Sequence, residues 1–183
     1  MLKRALESLV AQTYPNWTAI VYDDSPMREA HEIVIELNDT RITYHANKQN
    51  VGAAANINKA FFRGSLLSGE FAFILEDDNW LLPNFIEENI KILNAVPANI
   101  LLRNQEVWLD SREPTKTLDT TKGLWLQEGL YTPYDFSVQL LLHEGISNGG
   151  LFWRTTCMTD LQVNSSVTDP GLQENCRTLQ IEE

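Results

Sequence analysis

Cysteine is scarce in this chain: Cys157 and Cys176 are the only two among 183 residues. The N-terminal stretch Met1-Leu2-Lys3-Arg4-Ala5-Leu6-Glu7 lacks the uninterrupted apolar core of a secretory signal, so the two cysteines read as free thiols rather than as a disulfide. Histidine is nearly as rare. His31, His45 and His143 stand without metal-ligand spacing, which argues against a zinc site and against a Cys/His nucleophile pair. No apolar run approaches the length that crosses a bilayer. Positive charge is also in deficit, with 14 Lys and Arg against 25 Asp and Glu and a formal net charge of -11. That balance disfavours nucleic acid or an anionic membrane as the main partner. An anionic substrate would need a local device, such as a metal ion or a helix N-terminus, to offset the field.

What is present is the composition of a globular domain, 43% hydrophobic and 21% charged, with a length that suits a single domain and a sizeable core. Leu2, Ala5, Leu6, Leu9 and Val10 repeat at helical spacing, and Thr13-Tyr14-Pro15-Asn16 stops that helix. Trp17 to Tyr22 reads as a buried strand closed by Asp23-Asp24-Ser25-Pro26. A helix over Arg28 to Leu37, a strand at Ile42 to His45 and a helix from Ala53 to Leu67 follow. After them come an apolar strand from Phe71, a helix from Pro83 to Leu93, and a strand at Ile100 to Leu102. This alternation predicts an α/β domain with a largely parallel sheet. From Ser111 to Gly123 the chain is polar and reads as a loop.

The most informative segment is the apolar run Phe71-Ala72-Phe73-Ile74-Leu75, which ends in Glu76-Asp77-Asp78. Three adjacent carboxylates repel one another unless a cation lies between them, which points to a divalent metal and a phosphorylated ligand. The plainer alternative is a solvated loop, with Asp78 or Asn79 capping the next helix. In open α/β sheets, ligands bind beyond the carboxyl ends of the strands. Asp23, Asp24, Glu76, Asp77 and Asp78 all lie at such ends, so two acid clusters far apart in sequence are expected to meet at one crevice.

Four segments in order, Leu6 to Trp17, Ile20 to Ser25, Asn50-Val51-Gly52 with Ala54 and Asn56, and Leu75 to Asp78 with Pro83, resemble the family 2 glycosyltransferases over essentially the whole chain. The resemblance implies a GT-A nucleotide-sugar domain, Rossmann-like, with a mainly parallel sheet and helices on both faces. It implies one domain over 1–183, with a nucleotide-sugar-binding half over about 1–109 and an acceptor-side half over about 110–183. It assigns Asp24, with Asp23 beside it, to the nucleotide base and ribose, a role that suits a carboxylate accepting from a ring N–H or a hydroxyl. The same two acids would also suit a turn held by side-chain to backbone hydrogen bonds. The family's D-x-D motif falls on Glu76-Asp77-Asp78, with Glu where Asp is commoner. By resemblance Asp78, with Glu76, would hold Mn²⁺ or Mg²⁺, and Glu76 and Asp77 would face the donor. Asn50, Gly52 and Asn56 are further donor-side candidates, or else an ordinary helix-opening turn.

On the acceptor side the resemblance assigns the general base to Glu174, with Asp169 as the fallback and Asn175 where an Asp is customary. Asn148 to Arg154 matches the segment preceding the acceptor site, so Trp153 is a candidate for stacking on a sugar and Arg154 for reaching the diphosphate. Trp153 in a Leu-Phe-Trp run equally suits the core. Trp108, Trp125 and Tyr131 to Tyr134 share that ambiguity. One departure stands out. Family members ordinarily have an apolar strand ahead of the first helix, lying between the strands that end here at Asp23 and Glu76. Its absence predicts unpaired edges there, marginal stability and a tendency to form homo-oligomers.

The resemblance thus implies a metal-dependent transferase moving a sugar, most readily from a UDP-sugar, to a carbohydrate or glycan acceptor with inversion. It implies a cytoplasmic location, with peripheral membrane association as an option, and no nucleic-acid partner. Two other readings stay open: a truncated, non-catalytic domain serving binding or assembly, and a nucleotidyltransferase. Against the last stands the lack of a Gly-rich, Lys-bearing phosphate loop near the N-terminus.

Overall fold

The computed structural model describes residues 1–109, 114–121, 126–142, 147–164 and 166–181. In chain order its elements are α1 (Leu2–Val10), β1 (Ala19–Asp23), α2 (Glu29–Leu37), β2 (Ile42–Ala46), α3 (Ala53–Asn58), β3 (Phe71–Phe73) and α4 (Phe85–Ala95). They continue with β4 (Ile100–Leu102), β5 (Glu106–Leu109), β6 (Thr115–Thr120), α5 (Pro133–Leu142), β7 (Leu151–Arg154) and α6 (Pro170–Gln180). The α/β class expected from the sequence is the one observed. Its strand pairing is mixed: β1 and β2 are parallel, whereas β7 runs antiparallel between β3 and β4. Consequently β7, from the second half of the chain, sits at the centre of a sheet whose neighbours come from earlier in the chain.

Period-two alternation along β7 serves two cores at once. Leu151 and Trp153 face a cluster that includes Phe61, Ala72, Phe136, Met158 and Ile181. Phe152 points to the opposite face, where it stacks with Phe71 and Phe73 and meets Phe85 of α4 edge-on. On that side a second cluster gathers Leu6, Leu9, Trp17, Ile42 and Ile86 beneath α1, α2 and α4. Gln12 ties α1 to the start of α4. Its amide donates to the Leu82 carbonyl at 2.7 Å and its oxygen accepts from the Ile86 N–H at 3.1 Å, satisfying a first-turn donor that Asn84 leaves uncapped. Neither Asp78 nor Asn79 caps that helix.

Two segments differ from expectation. The helix from Ala53 ends at Asn58 rather than Leu67, because Phe61 turns inward to stack on Trp153 at 4.7 Å and Phe62 bridges to Thr159. Tertiary contact outweighs local propensity there. The segment read as a loop from Ser111 to Gly123 contains β6 at Thr115–Thr120, paired antiparallel with β5. Its alternating Thr residues have the β preference that polarity alone obscured. Trp125 lies outside the described residues.

The sheet is open where the sequence resemblance places a strand. β1 and β3 belong to separate sheets, and among the described residues nothing pairs with the edges they turn toward each other. Between them lies a cleft of about 1540 Å³, lined by α1, β1, β3 and α4, with Leu6, Val21, Phe73 and Ile86 among its walls. The total accessible surface is 11401 Å². A compact chain of 20.9 kDa would expose about 9000 Å². The cleft is wide enough for backbone as well as side chains, so joining an apolar strand of about six residues and a short turn ahead of Leu2 should close it. The expected outcome is a higher melting temperature in calorimetry together with a smaller hydrodynamic radius; an unchanged radius and melting temperature would show that the lane does not accept a strand.

Candidate functional site

The two acid clusters meet, as the position of strand ends predicts: Asp23, Asp24, Asn50, Asn56, Glu76, Asp77 and Asp78 all line the cleft between β1 and β3. Asp23 and Asp24 divide their tasks. Asp23 is 7% exposed, and its carboxylate accepts from the Ser25 N–H at 2.8 Å and the Tyr44 hydroxyl at 2.9 Å. Burial pushes its pKa up, yet these donors outweigh it and leave the group below the usual carboxylate range. Asp23 therefore locks its own turn to β2. Asp24 instead holds the opposite wall of the cleft. It accepts from the Val51 N–H at 2.8 Å, the Gly52 N–H at 2.8 Å and the Asn47 amide at 2.7 Å. The Val51 bond leads in lowering its pKa, with Asn47, Gly52 and Lys59 adding to it.

Gly52 makes this possible. Its φ of 83° lies in the left-handed region, where a side chain would be strained, and it turns the chain so that α3 begins over Asp24. Asn50 donates to the Asp24 carbonyl at 3.0 Å, and Asn56 donates to the Tyr22 carbonyl at 3.0 Å. Lys59 was missed in the sequence. Its ammonium hydrogen-bonds Asn47 and, at 3.1 Å, Asn56, and lies over the Tyr22 ring. Burial lowers its pKa, opposed by Asp24. An asparagine just beyond the end of β2 and a lysine just beyond the end of α3 carry no signature at sequence level; only the parallel register of β1 and β2 brings them together.

Across the cleft, Glu76 is less exposed than its neighbours Asp77 and Asp78, and its carboxylate lies against Gly149 from the second half of the chain. Its carboxylate accepts from the Asn79 amide at 3.0 Å. Burial raises its pKa, and the charges of Asp78 and Asp77 raise it further against Arg177 and Asn79. The glycine pair Gly149-Gly150 packs against this corner. A Cβ on Gly149 would stand 3.0 Å from Glu76 Oε2 and 3.1 Å from the Gln105 amide nitrogen, and one on Gly150 would stand 2.6 Å from the Arg103 carbonyl. Behind them, Glu174 on α6 is raised by burial and then by Glu76, while the Asn148 backbone and Arg177 oppose the rise. The candidate base thus lies within electrostatic reach of the acid motif.

Arg177 organises this back wall and was also missed. It is 2% exposed. Its guanidinium donates to Asn58 at 2.7 Å, Asn148 at 3.1 Å, the Ala54 carbonyl at 3.2 Å and Gln173 at 3.2 Å, joining α3, the 147–150 turn and α6. Burial lowers its pKa, opposed by Glu174 and Glu76.

Three expected site residues lie elsewhere. Trp153 is 0% exposed and packs on Phe61, so no sugar can stack on it. Arg154 pairs with Phe71, at the opposite end of β3 from Glu76, about 16 Å away along an extended chain. There it donates to Glu70 at 3.0 Å and to the Leu93 carbonyl at 2.8 Å, which removes it from any diphosphate in the cleft. Asp169 caps α6, accepting from the Leu172 N–H at 2.7 Å ahead of Pro170.

A hard cation needs oxygen donors and relief of like-charge repulsion. Among the described residues no three Asp, Glu, His or Cys side chains form a ready cage. The mutual repulsion of Glu76, Asp77 and Asp78 nonetheless fits an ion held by one or two of them and completed by ligand oxygens.

The model of the glycosyl transferase family 2 matches residues 1–157. The chain belongs to that family, and its α/β architecture is the GT-A-like one that the motifs imply. It is 39% identical over 83 residues to a putative colanic acid biosynthesis glycosyl transferase, WcaA, of Escherichia coli, covering 44% of this chain and 29% of that protein. It is 28% identical over 106 residues to the UDP-Glc:alpha-D-GlcNAc-diphosphoundecaprenol beta-1,3-glucosyltransferase WfgD of Escherichia coli, covering 58% and 41%. An uncharacterized glycosyltransferase of Methanocaldococcus jannaschii is 33% identical over 95 residues, covering 50% and 32%. The chain spans from 29% to 41% of the length of these three relatives.

Two substitutions test the back wall. Arg177→Gln strands several buried acceptors and should cost about 3 kcal/mol in chemical denaturation. Gly150→Ala drives a methyl into a backbone carbonyl and should cost about 2 kcal/mol, more than Gly149→Ala, whose neighbours are side-chain ends that can shift. Equal stability of the two alanine variants would contradict the close approach of Gly150 to Arg103.

Proposed function

We propose that this chain is the donor-binding and catalytic part of a glycosyltransferase that moves a sugar from a nucleoside diphosphate to an acceptor hydroxyl. The observation that carries this reading is the meeting of Asp24 and the Glu76-Asp77-Asp78 turn at one cleft, with Glu174 behind Glu76. Two acid clusters so distant in sequence have no shared structural task there, whereas a donor with a base, a ribose and a diphosphate engages both. The UDP-glucose specificity in the name of WfgD supports UDP as the first nucleotide to try.

In this reading the donor's ribose and base lie along Asp24, Asn50 and Asn56, where the Asp24 carboxylate retains acceptor capacity beyond its three bonds. Asp78, with Glu76, would hold Mn²⁺ or Mg²⁺. Such an ion supplies charge compensation for the leaving diphosphate. The acceptor oxygen attacks the anomeric carbon as the bond from that carbon to the diphosphate oxygen breaks, and the hydroxyl proton passes to the Glu174 carboxylate. Attack from the face opposite the leaving group inverts the anomeric centre. Glu76, raised by burial and its neighbours, stands between the donor cleft and Glu174 and keeps the two sites in electrostatic contact. No described helix is long and apolar enough to cross a membrane. We propose a cytoplasmic location with peripheral association at the membrane and a carbohydrate or glycan acceptor, the open edges of β1 and β3 favouring association of copies.

Calorimetric titration of UDP with and without Mn²⁺ tests the metal assignment. Asp78→Asn should abolish the gain in affinity that Mn²⁺ gives the wild type while leaving the melting temperature within about 2 °C; an undiminished gain would remove Asp78 from the role. Glu174→Gln keeps the size of the side chain but cannot accept a proton. It should lower transfer by about two orders of magnitude with UDP affinity retained, and turnover at the wild-type rate would assign the base elsewhere.

A further inference from the structure

The residue expected to stack on a sugar, Trp153, is buried, but a different pair of indoles stands beside the acid turn, outside the residues that line the cleft. Trp80 stands shortly beyond Asp78 in the chain. The Arg4 guanidinium lies over its ring, 4.4 Å from the centroid, and donates to the Asp78 carbonyl at 3.2 Å, so the ring is fixed relative to the acid motif. Trp108 meets Trp80 edge to face, with centroids 5.4 Å apart and planes at 71°. It belongs to β5, every residue of which is exposed, and 37% of its own surface is open. The strand springs from Gln105, whose amide approaches Gly149 beside Glu76, so the hairpin's root is joined to the same corner of the site.

Polar groups surround the open indole. Glu106 accepts from the Trp108 ring N–H at 3.3 Å and also holds Lys116, the residue that pairs with Trp108 across the hairpin. A pyranose ring has an apolar face of C–H groups and a rim of hydroxyls, and its recognition calls for an aromatic face flanked by donors and acceptors near the ring plane. Trp108, Glu106 and Lys116 provide that combination. A neutral sugar is also a ligand that this net negative chain can take without opposing its own field.

We propose that the corner where Trp80 buttresses Trp108 is a carbohydrate subsite, with the open indole of Trp108 as its stacking wall and Glu106 and Lys116 as its hydroxyl-binding edge, which holds a pyranose ring of the acceptor. The proposal rests on the glycosyltransferase reading for the word acceptor, and on the indole corner alone for the binding of sugar.

Saturation-transfer NMR on the full chain with chitotriose and cellotriose as probes tests it, alongside calorimetry with UDP. At least one trisaccharide should receive saturation at its ring C–H protons. Trp108→Ala should weaken its affinity at least about tenfold and Trp108→Phe by no more than about threefold, with UDP affinity unchanged in both. Glu106→Gln leaves both indoles in place and should weaken the sugar at least about threefold, which keeps the test valid if the alanine variant loses the hairpin. Absence of transfer to either trisaccharide, or wild-type affinity in the Trp108→Ala or Glu106→Gln chain, overturns the subsite. Trisaccharide binding in a chain that binds none of UDP, GDP and dTDP, with or without Mn²⁺, would overturn the donor-binding reading instead and leave the subsite standing.

Discussion

Backbone pairing of β7 on both of its edges is the constraint from which the site follows. Leu151, Phe152 and Trp153 are essentially fully buried in succession, and each is a large apolar side chain worth about 2–3 kcal/mol when removed from water. Because the strand is antiparallel to β3 and β4, its beginning, not its end, lies at the carboxyl side of its neighbours. The 147–150 turn is thereby delivered to the acid motif, and Arg154 is carried to the far end of the sheet. Asn148 then accepts from Arg177, which sets α6 and Glu174 behind Glu76. Had β7 entered parallel, α6 and the acid turn would sit at opposite ends of the sheet.

The Asp24 side of the cleft and the Arg177 cluster behind Glu76 are both built by charged groups acting through neutral intermediaries. Asp24 reaches Lys59 by way of Asn47 and Asn56, and Arg177 donates to amides and carbonyls, among them Asn148, which in turn donates to the Glu174 backbone carbonyl. Such an arrangement keeps the acids available to a ligand, since a direct salt bridge would occupy the oxygens that a ribose or a cation needs. It also explains why the asparagines of this chain matter as much as its acids: Asn47, Asn56, Asn58 and Asn148 each join elements distant in sequence.

Much of this was legible in the sequence where local signals and tertiary context agree. The helical spacing of Leu2, Leu6 and Leu9, the acids at the ends of β1 and β3, and the Asn50-Val51-Gly52 turn are short-range patterns with one physical meaning each, and they fell where expected. Trp153 and Arg154 did not, because a run such as Leu-Phe-Trp-Arg specifies a strand but neither its direction nor its neighbours. Polarity hid β6, whose threonines pair with β5 on a hairpin that needs no buried face. Lys59 and Arg177 were illegible for another reason: a cation on or next to a helix is ordinarily solvated, and only packing reveals that Lys59 is half-buried and Arg177 enclosed.

The cleft between β1 and β3 has a consequence for how the domain comes apart. Its walls are already in contact with solvent in the native state, so unfolding adds less new surface than in a closed sheet of the same length. Denaturant sensitivity and the heat-capacity increment both scale with that added surface. The chain is therefore expected to unfold over a wider span of urea and temperature than its 183 residues would suggest, with a shallow stability curve. A ligand that fills the cleft does more than add binding energy: by drying the walls it sharpens the transition, making cooperativity itself a signature of occupancy.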